Sequence, residues 1–241
     1  FNITKTQLYL ALAQDIPDGS GAFITNPYKS WNEVDPGLPA EPITVFGPPP
    51  TSGTRDAFVE LGMEHGAETL PEMAALKASD SDAFKIRAHT IRTDGAWIDF
   101  GENDTAIVQS LVKTPTAIGI LGYSFLEQNG DRIKGAALAG VPATFDNINS
   151  GQYGLSRVMF IYVKKQNLPL VPGLFDFIDY YTDENWLPVW KTERPDRRLY
   201  RPSTGGFLRR RRRIFCQNLR RAGAGRGCRF SINASAQAFQ L

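Results

Sequence analysis

Ile43-Thr44-Val45-Phe46-Gly47-Pro48-Pro49-Pro50-Thr51-Ser52-Gly53-Thr54-Arg55-Asp56-Ala57-Phe58 is the stretch on which the reading of this chain turns. An apolar run, Ile43 to Phe46, ends in a Gly-Pro-Pro-Pro turn. Small hydroxylic residues follow, then Asp56 to Leu61, where Phe58, Leu61 and Gly62 fall at helical spacing. The pattern is strand, turn, helix. The first N–H groups of such a helix have no partner inside it. Those donors, two hydroxyls and the guanidinium of Arg55 make a socket suited to a tetrahedral oxyanion. The same letters also serve a purely structural purpose, because Ser and Thr are ordinary N-caps and Gly is common in turns. No Gly-Lys-Ser/Thr closes the turn, so it is not a P-loop, and a nucleotide is the less natural anion.

Around this stretch the chain alternates helices and strands, which predicts an α/β layer architecture. Thr4-Lys5-Thr6-Gln7 has capping-box form and opens a short apolar helix over Leu8 to Leu12. Asp15 to Pro42 reads as loop around a buried Trp31, and Leu70 to Lys77 as a helix. Phe84 to Phe100 reads as short β-like stretches and polar turns. Asn103 or Asp104 caps a helix with Ile107, Val108, Leu111 and Val112 on one face. Ala117 to Leu121 is a buried strand, Tyr123 to Gln128 a helix, Ile133 to Leu138 and Arg157 to Val163 further strands. Pro169 to Trp186 is a helix with Leu174, Phe177, Ile178 and Tyr181 inside.

The charge is divided along the chain. Residues 191–241 carry 14 basic against two acidic side chains, net +12, while residues 1–190 carry 13 against 23, net −10. Five consecutive arginines, Arg209 to Arg213, and a Gly/Ala-rich run, Ala222 to Gly227, interrupt all periodicity. In the order that the break favours them, three readings apply: a product of a shifted reading frame, a disordered native tail, and an arm for nucleic acid. No nucleic-acid partner is expected. No run of 18 uncharged apolar residues occurs, and no basic and apolar leader opens the chain.

Other chemistry is weakly supported. His65 and His89, read as surface or loop residues, lack metal spacing. Cys216 and Cys228 stand twelve apart without partner pairs, so neither metal nor cofactor is expected. Asp80 and Asp82 read as a solvated loop. Asp94 is a candidate to orient Arg55 or Arg92. No Ser-His-Asp or Gly-x-Ser-x-Gly arrangement is present, so the chain is not expected to be an enzyme. A phosphoester-processing enzyme stays as the alternative, since oxyanion loops also hold transferred phosphoryl groups.

From Asn2 to about Trp190 the chain resembles the phosphate-binding proteins that serve bacterial ABC phosphate transporters. The segments that carry the likeness occur in order: Ile3 to Ile16 with Trp31-Asn32; Ile43 to Phe58; Asp94-Gly95-Ala96-Trp97 with Gly101-Glu102-Asn103-Asp104; Ala117 to Tyr123; Tyr153, Arg157 to Lys164 and Pro172-Gly173. The resemblance implies a type II periplasmic-binding-protein-like fold of two lobes closing on phosphate. It implies a second lobe at about 30–150 and a partial first lobe from both flanks. It implies inorganic phosphate and the membrane permease of an ABC transporter as partners, and a periplasmic or cell-surface location. A monomer is expected.

The family's roles carry to Ser52, Gly53 and Thr54, with Thr51 as a further candidate. Its common arginine, four residues before the serine, is Pro48 here. A branch of the family has arginine directly after the threonine, and Arg55 fits that variant. The family's opening stretch, which supplies first-lobe ligands including an aspartate that accepts the proton of hydrogen phosphate, has no counterpart before Phe1. The family's ending is replaced by arginines. The expectation is therefore a fragment with one complete lobe and impaired phosphate binding, its choice between phosphate and sulfate left open.

Overall fold

A computed structural model of the chain describes residues 1–157, 159–181 and 227–232. They fall into two compact units, the first Phe1–Arg157 and the second holding residues 159–181 and 227–232.

The first unit runs β1 (Asn2–Ile3), α1 (Lys5–Leu12), the hairpin β2 (Asp15–Pro17) and β3 (Phe23–Thr25), α2 (Trp31–Val34) and β4 (Val45–Gly47). Next comes α3 (Gly53–Phe58), which continues without a break through a π-helical stretch (Val59–Glu64) into α4 (His65–Ala67). Then follow α5 (Pro71–Ser79), α6 (Ser81–His89), β5 (Trp97–Asp99), α7 (Asp104–Lys113), β6 (Ile118–Gly119), α8 (Tyr123–Gln128), β7 (Ala137–Leu138) and α9 (Phe145–Asn149). In the second unit β8 (Met159–Lys164) pairs antiparallel with β9 (Gly227–Ile232), and α10 spans Leu174–Tyr181. The rest of the arginine-rich segment, with Cys216 and residues 182–190, lies outside the described residues.

One sheet positions the site. β4 lies between β5 and β6, parallel to both, with Val45 opposite Trp97 on one side and Ile118 on the other. Parallel strands need helical crossovers. Here α3 to α6 lead from β4 to β5, and α7 leads from β5 to β6. The carboxyl ends of all three strands, at Gly47, Asp99 and Gly119, therefore meet on one edge, where open α/β sheets bind ligands.

Two apolar clusters hold this arrangement. The larger joins α1, Trp31, Val45, Phe58, Met63, Phe84 and Trp97; the smaller joins Phe46 to Ile107, Val108, Leu111 and Leu121. Close packing dictates two glycines. A Cβ at Gly66 would lie 2.0 Å from the Lys5 carbonyl oxygen, where α1 passes α4. A Cβ at Gly119 would lie 2.5 Å from Leu111 Cδ1, where α7 covers β6. The α1 capping box forms as expected, with Gln7 N–H donating to Thr4 Oγ1 at 3.2 Å and Thr4 N–H to Gln7 Oε1 at 2.8 Å.

Several sequence expectations need correction. Phe84 to His89 are not β-like but belong to α6. Asp80, expected in a solvated loop, caps it by accepting from the N–H groups of Asp82 and Ala83 at 3.1 and 2.9 Å. Only Phe84 and Ala88 of α6 are buried, which is too few apolar positions to show a helical period. The segment before β4 is not all loop, since it contains β2, β3 and α2, though Trp31 is buried as expected. The strand at 133–138 shrinks to Ala137–Leu138. Val112, Phe177 and Tyr181 are exposed rather than inside, whereas Ile178 is buried. His65 is an exposed surface residue, as expected; both histidines sit on helices, with His65 Nδ1 3.2 Å from Lys5 Nζ and His89 Nε2 2.6 Å from a Glu64 oxygen.

Candidate functional site

The loop 48–52 leaves β4 at the carboxyl edge of the sheet and delivers Ser52 as the N-cap of α3. The Ser52 hydroxyl accepts from Thr54 N–H at 3.2 Å, and the Ser52 carbonyl accepts from Asp56 N–H at 3.1 Å. Thr51 and Gly53 are exposed, and Ser52 and Thr54 are half-buried. The first turn thus places small side chains at the start of a helical run that continues to Ala67, where the first N–H groups lack partners further back in the helix. Gly53 has open space on its Cα face; the nearest atom to a Cβ there is Arg157 Nη2 at 3.9 Å.

Arg55 does not simply extend into this space. Its Nη1 donates to the Pro48 carbonyl at 3.1 Å and to Asp99 Oδ1 at 3.2 Å. Its guanidinium carbon lies 4.2 Å above the Trp97 ring, and its side chain is only 12% exposed. Burial lowers its pKa and Asp99 opposes that shift, but a guanidinium remains charged in either case. Trp97 is itself fixed. Its indole N–H donates to Asp99 Oδ1 at 2.7 Å, and its ring stacks on Phe58 at 5.7 Å. It also covers Gly47, where a Cβ would lie 2.1 Å from Trp97 Cζ2. Asp99 thus holds both the arginine and the indole.

A cavity of about 550 Å³ opens on this flank, lined by Arg55, Asp56, Glu60, Trp97 and Asp99 among others. Ser52, Gly53 and Thr54 do not line it. Its lining is mixed in charge, with Asp56, Glu60 and Asp99 beside Arg55, Arg92 and His89.

The other candidates divide. Thr51 is brought to Glu102, its hydroxyl donating to Oε1 at 3.3 Å. Asp94 is not brought to Arg55. It pairs with Arg92 through Nε at 2.8 Å and through Nη2 at 2.5 Å, and with Lys29 at 2.9 Å. Those bonds, that of Arg92 foremost, hold its carboxyl well below the usual range. Arg92 is 2% exposed and donates from Nη1 to the carbonyls of Ala11 and Tyr28, so this ion pair ties α1 to the strand segment. Asn103 caps α7 through Ala106 N–H, and burial raises the pKa of Asp104. The sequence reading missed Asp99 and Arg157 as site residues. Arg157 comes from 104 positions away and donates from Nη2 to the Gly53 carbonyl at 3.2 Å. Its place in the Leu-Ser-Arg run after Tyr153 was the available signal. Among the described residues no group of three or more His, Cys, Asp or Glu could hold a metal ion, and no helix is long and apolar enough to cross a membrane.

Comparison with known proteins fits this geometry. The chain is 28% identical over 161 residues to the phosphate-binding protein PstS of Staphylococcus saprophyticus, an alignment covering 65% of this chain and 42% of that protein. It is 27% identical over 187 residues to PstS of Staphylococcus epidermidis, covering 76% and 45%. The chain thus spans less than half the length of these curated relatives. The crystal structure of PstS from Borrelia burgdorferi superposes with a TM-score of 0.47 at 17% identity, over 79% of this chain and 61% of that one. The family model of the PBP superfamily domain matches residues 1–185, and the chain belongs to the PBP superfamily.

Proposed function

We propose that this chain recognises inorganic phosphate as part of the solute-binding component of an ABC phosphate uptake system. The observation that carries the reading is the Thr51–Arg55 loop at the carboxyl edge of the parallel sheet, with Ser52 capping α3. Relatives named as phosphate-binding proteins support phosphate over sulfate. In this reading the hydroxyls of Ser52 and Thr54 and the first-turn N–H groups hold the oxyanion, Thr51 flanks them, and a guanidinium supplies charge. The role is binding without catalysis, since the family is one of solute-binding proteins. The membrane permease is the partner, in the periplasm or at the cell surface. Residues 30–150 contribute the lobe that carries the loop, and the flanks contribute to the other.

Thermal melting tests this. A ligand that binds only the folded state raises its stability by RT ln(1 + [L]/Kd). Phosphate is expected to raise the melting temperature saturably, while chloride at equal ionic strength does not. Ser52→Ala removes one bond to a charged ligand, about 1.5–3 kcal/mol, and should move the phosphate midpoint up at least tenfold. A melting temperature unmoved by phosphate through the tens of millimolar (roughly a millimolar Kd exceeded many times over) would refute the function.

A further inference from the structure

Two guanidiniums flank the loop, and they are built differently. Arg55 is enclosed: Pro48, Asp99 and the Trp97 face hold it, and its side chain is 12% exposed. Moving it onto a ligand would break three contacts. Among the described residues Arg157 makes one hydrogen bond, from Nη2 to the Gly53 carbonyl. Its Nη1 lies 3.9 Å from a Glu60 oxygen, an ion-pair distance too long for a hydrogen bond, and the side chain is 39% exposed. A guanidinium carries five N–H donors in a fixed fork. One is committed to Gly53, so the fork keeps donors to offer, beside the central residue of Ser52-Gly53-Thr54. A Cβ at Gly53 would lie 3.9 Å from Arg157 Nη2, so the guanidinium stands within contact range of the loop's central residue.

We propose that Arg157 is the guanidinium that contacts the bound oxyanion, and that Arg55 is a positioning residue that locks the loop onto Trp97 and Asp99. The inference rests on the phosphate reading above. It assigns the ligand's charge partner to a residue outside the loop, at the point where the chain leaves the first unit. The present bond to Gly53 and the distant Glu60 are the contacts that Arg157 keeps, or exchanges in part, when the anion arrives. Asp99 lies 3.2 Å from Arg55, whereas Glu60 lies 3.9 Å from Arg157, so Arg157 is the less tightly paired of the two guanidiniums. Bidentate oxyanion recognition suits arginine and not lysine.

The test compares the full chain with Arg157→Gln, Arg157→Lys and Arg55→Lys by phosphate titration, at two salt concentrations. Arg157→Gln is expected to weaken phosphate binding at least tenfold, to flatten the salt dependence, and to change the phosphate-free melting temperature by less than about 3 °C, roughly 1 kcal/mol. Arg157→Lys should recover part of the affinity. Arg55→Lys should lower the phosphate-free melting temperature by more than Arg157→Gln does. On the unaltered protein, phosphate should protect Arg157 from an arginine-modifying dicarbonyl reagent. If the unaltered chain ignores phosphate, the functional reading fails and this assignment with it. If the unaltered chain binds and Arg157→Gln binds equally well, or Arg157 is modified equally with and without phosphate, only the assignment fails. Loss of binding that matches an equal loss of phosphate-free stability would make Arg157 structural and also overturn it.

Discussion

Replacing Gly47 by alanine should be among the most damaging single-methyl changes in this protein. The backbone at Gly47 needs no left-handed conformation; what excludes a methyl is Trp97, whose Cζ2, Cη2 and Cε2 would lie 2.1, 2.4 and 2.9 Å from it. The indole cannot yield cheaply. It is 7% exposed, stacked on Phe58, covered by Arg55 and hydrogen-bonded to Asp99. Overpacking a filled core costs about 1–3 kcal/mol. Shifting the ring also loosens a cation–π contact of about 0.5–2 kcal/mol and an indole hydrogen bond of about 1 kcal/mol. These terms overlap, so Gly47→Ala should cost about 2–4 kcal/mol in urea unfolding followed by far-UV circular dichroism. The mechanism is checked by a double-mutant cycle. Trp97→Ala alone should cost about 3–5 kcal/mol, and in its background the added methyl at 47 should cost under about 0.5 kcal/mol. A Gly47→Ala protein within about 0.5 kcal/mol of the parent, or a cost unchanged in the Trp97→Ala background, would refute the argument.

Two further changes follow from the same contacts. Asp94→Asn should destabilise at neutral pH by about 1–3 kcal/mol, less than for a fully buried pair because Asp94 is partly exposed. The Asp94 pKa is depressed in the folded state, so its contribution is complete above the ordinary carboxylate value of 3.8 and is lost as pH falls through the lower folded value. The gap between parent and variant should therefore close toward pH 2 in acid-unfolding curves, and a pH-independent gap would count against the ion pair. Gly66→Ala should cost about 1–3 kcal/mol despite alanine's better helix propensity, because a methyl there meets the Lys5 carbonyl; a stabilised variant by thermal melting would sink that reasoning.

The elements that were legible in the sequence are those specified by neighbours. Thr4 and Gln7 cap α1 through each other, Asn103 caps α7, and Ser52 caps α3, because a cap needs only a hydroxyl, amide or carboxylate within three residues of an orphan N–H. The candidate loop was legible for the same reason. Helix α6 was not, because its two buried residues carry too little periodicity, though Asp80 offered the N-cap signal. The exposed faces of Val112, Phe177 and Tyr181 were misassigned because apolarity permits burial without compelling it.

By itself the sequence determined an α/β chain with a strand, a hydroxyl-bearing turn and a capped helix at 43–58, since hydrogen bonds a few residues apart write themselves into local spacing. Only the tertiary structure decided which charges meet that turn. It paired Asp94 with Arg92 rather than Arg55, set Asp99 and Trp97 around Arg55, and carried Arg157 to Gly53 across 104 positions. Such pairings depend on how parallel strands align and how closely side chains pack, and no spacing along the chain encodes them.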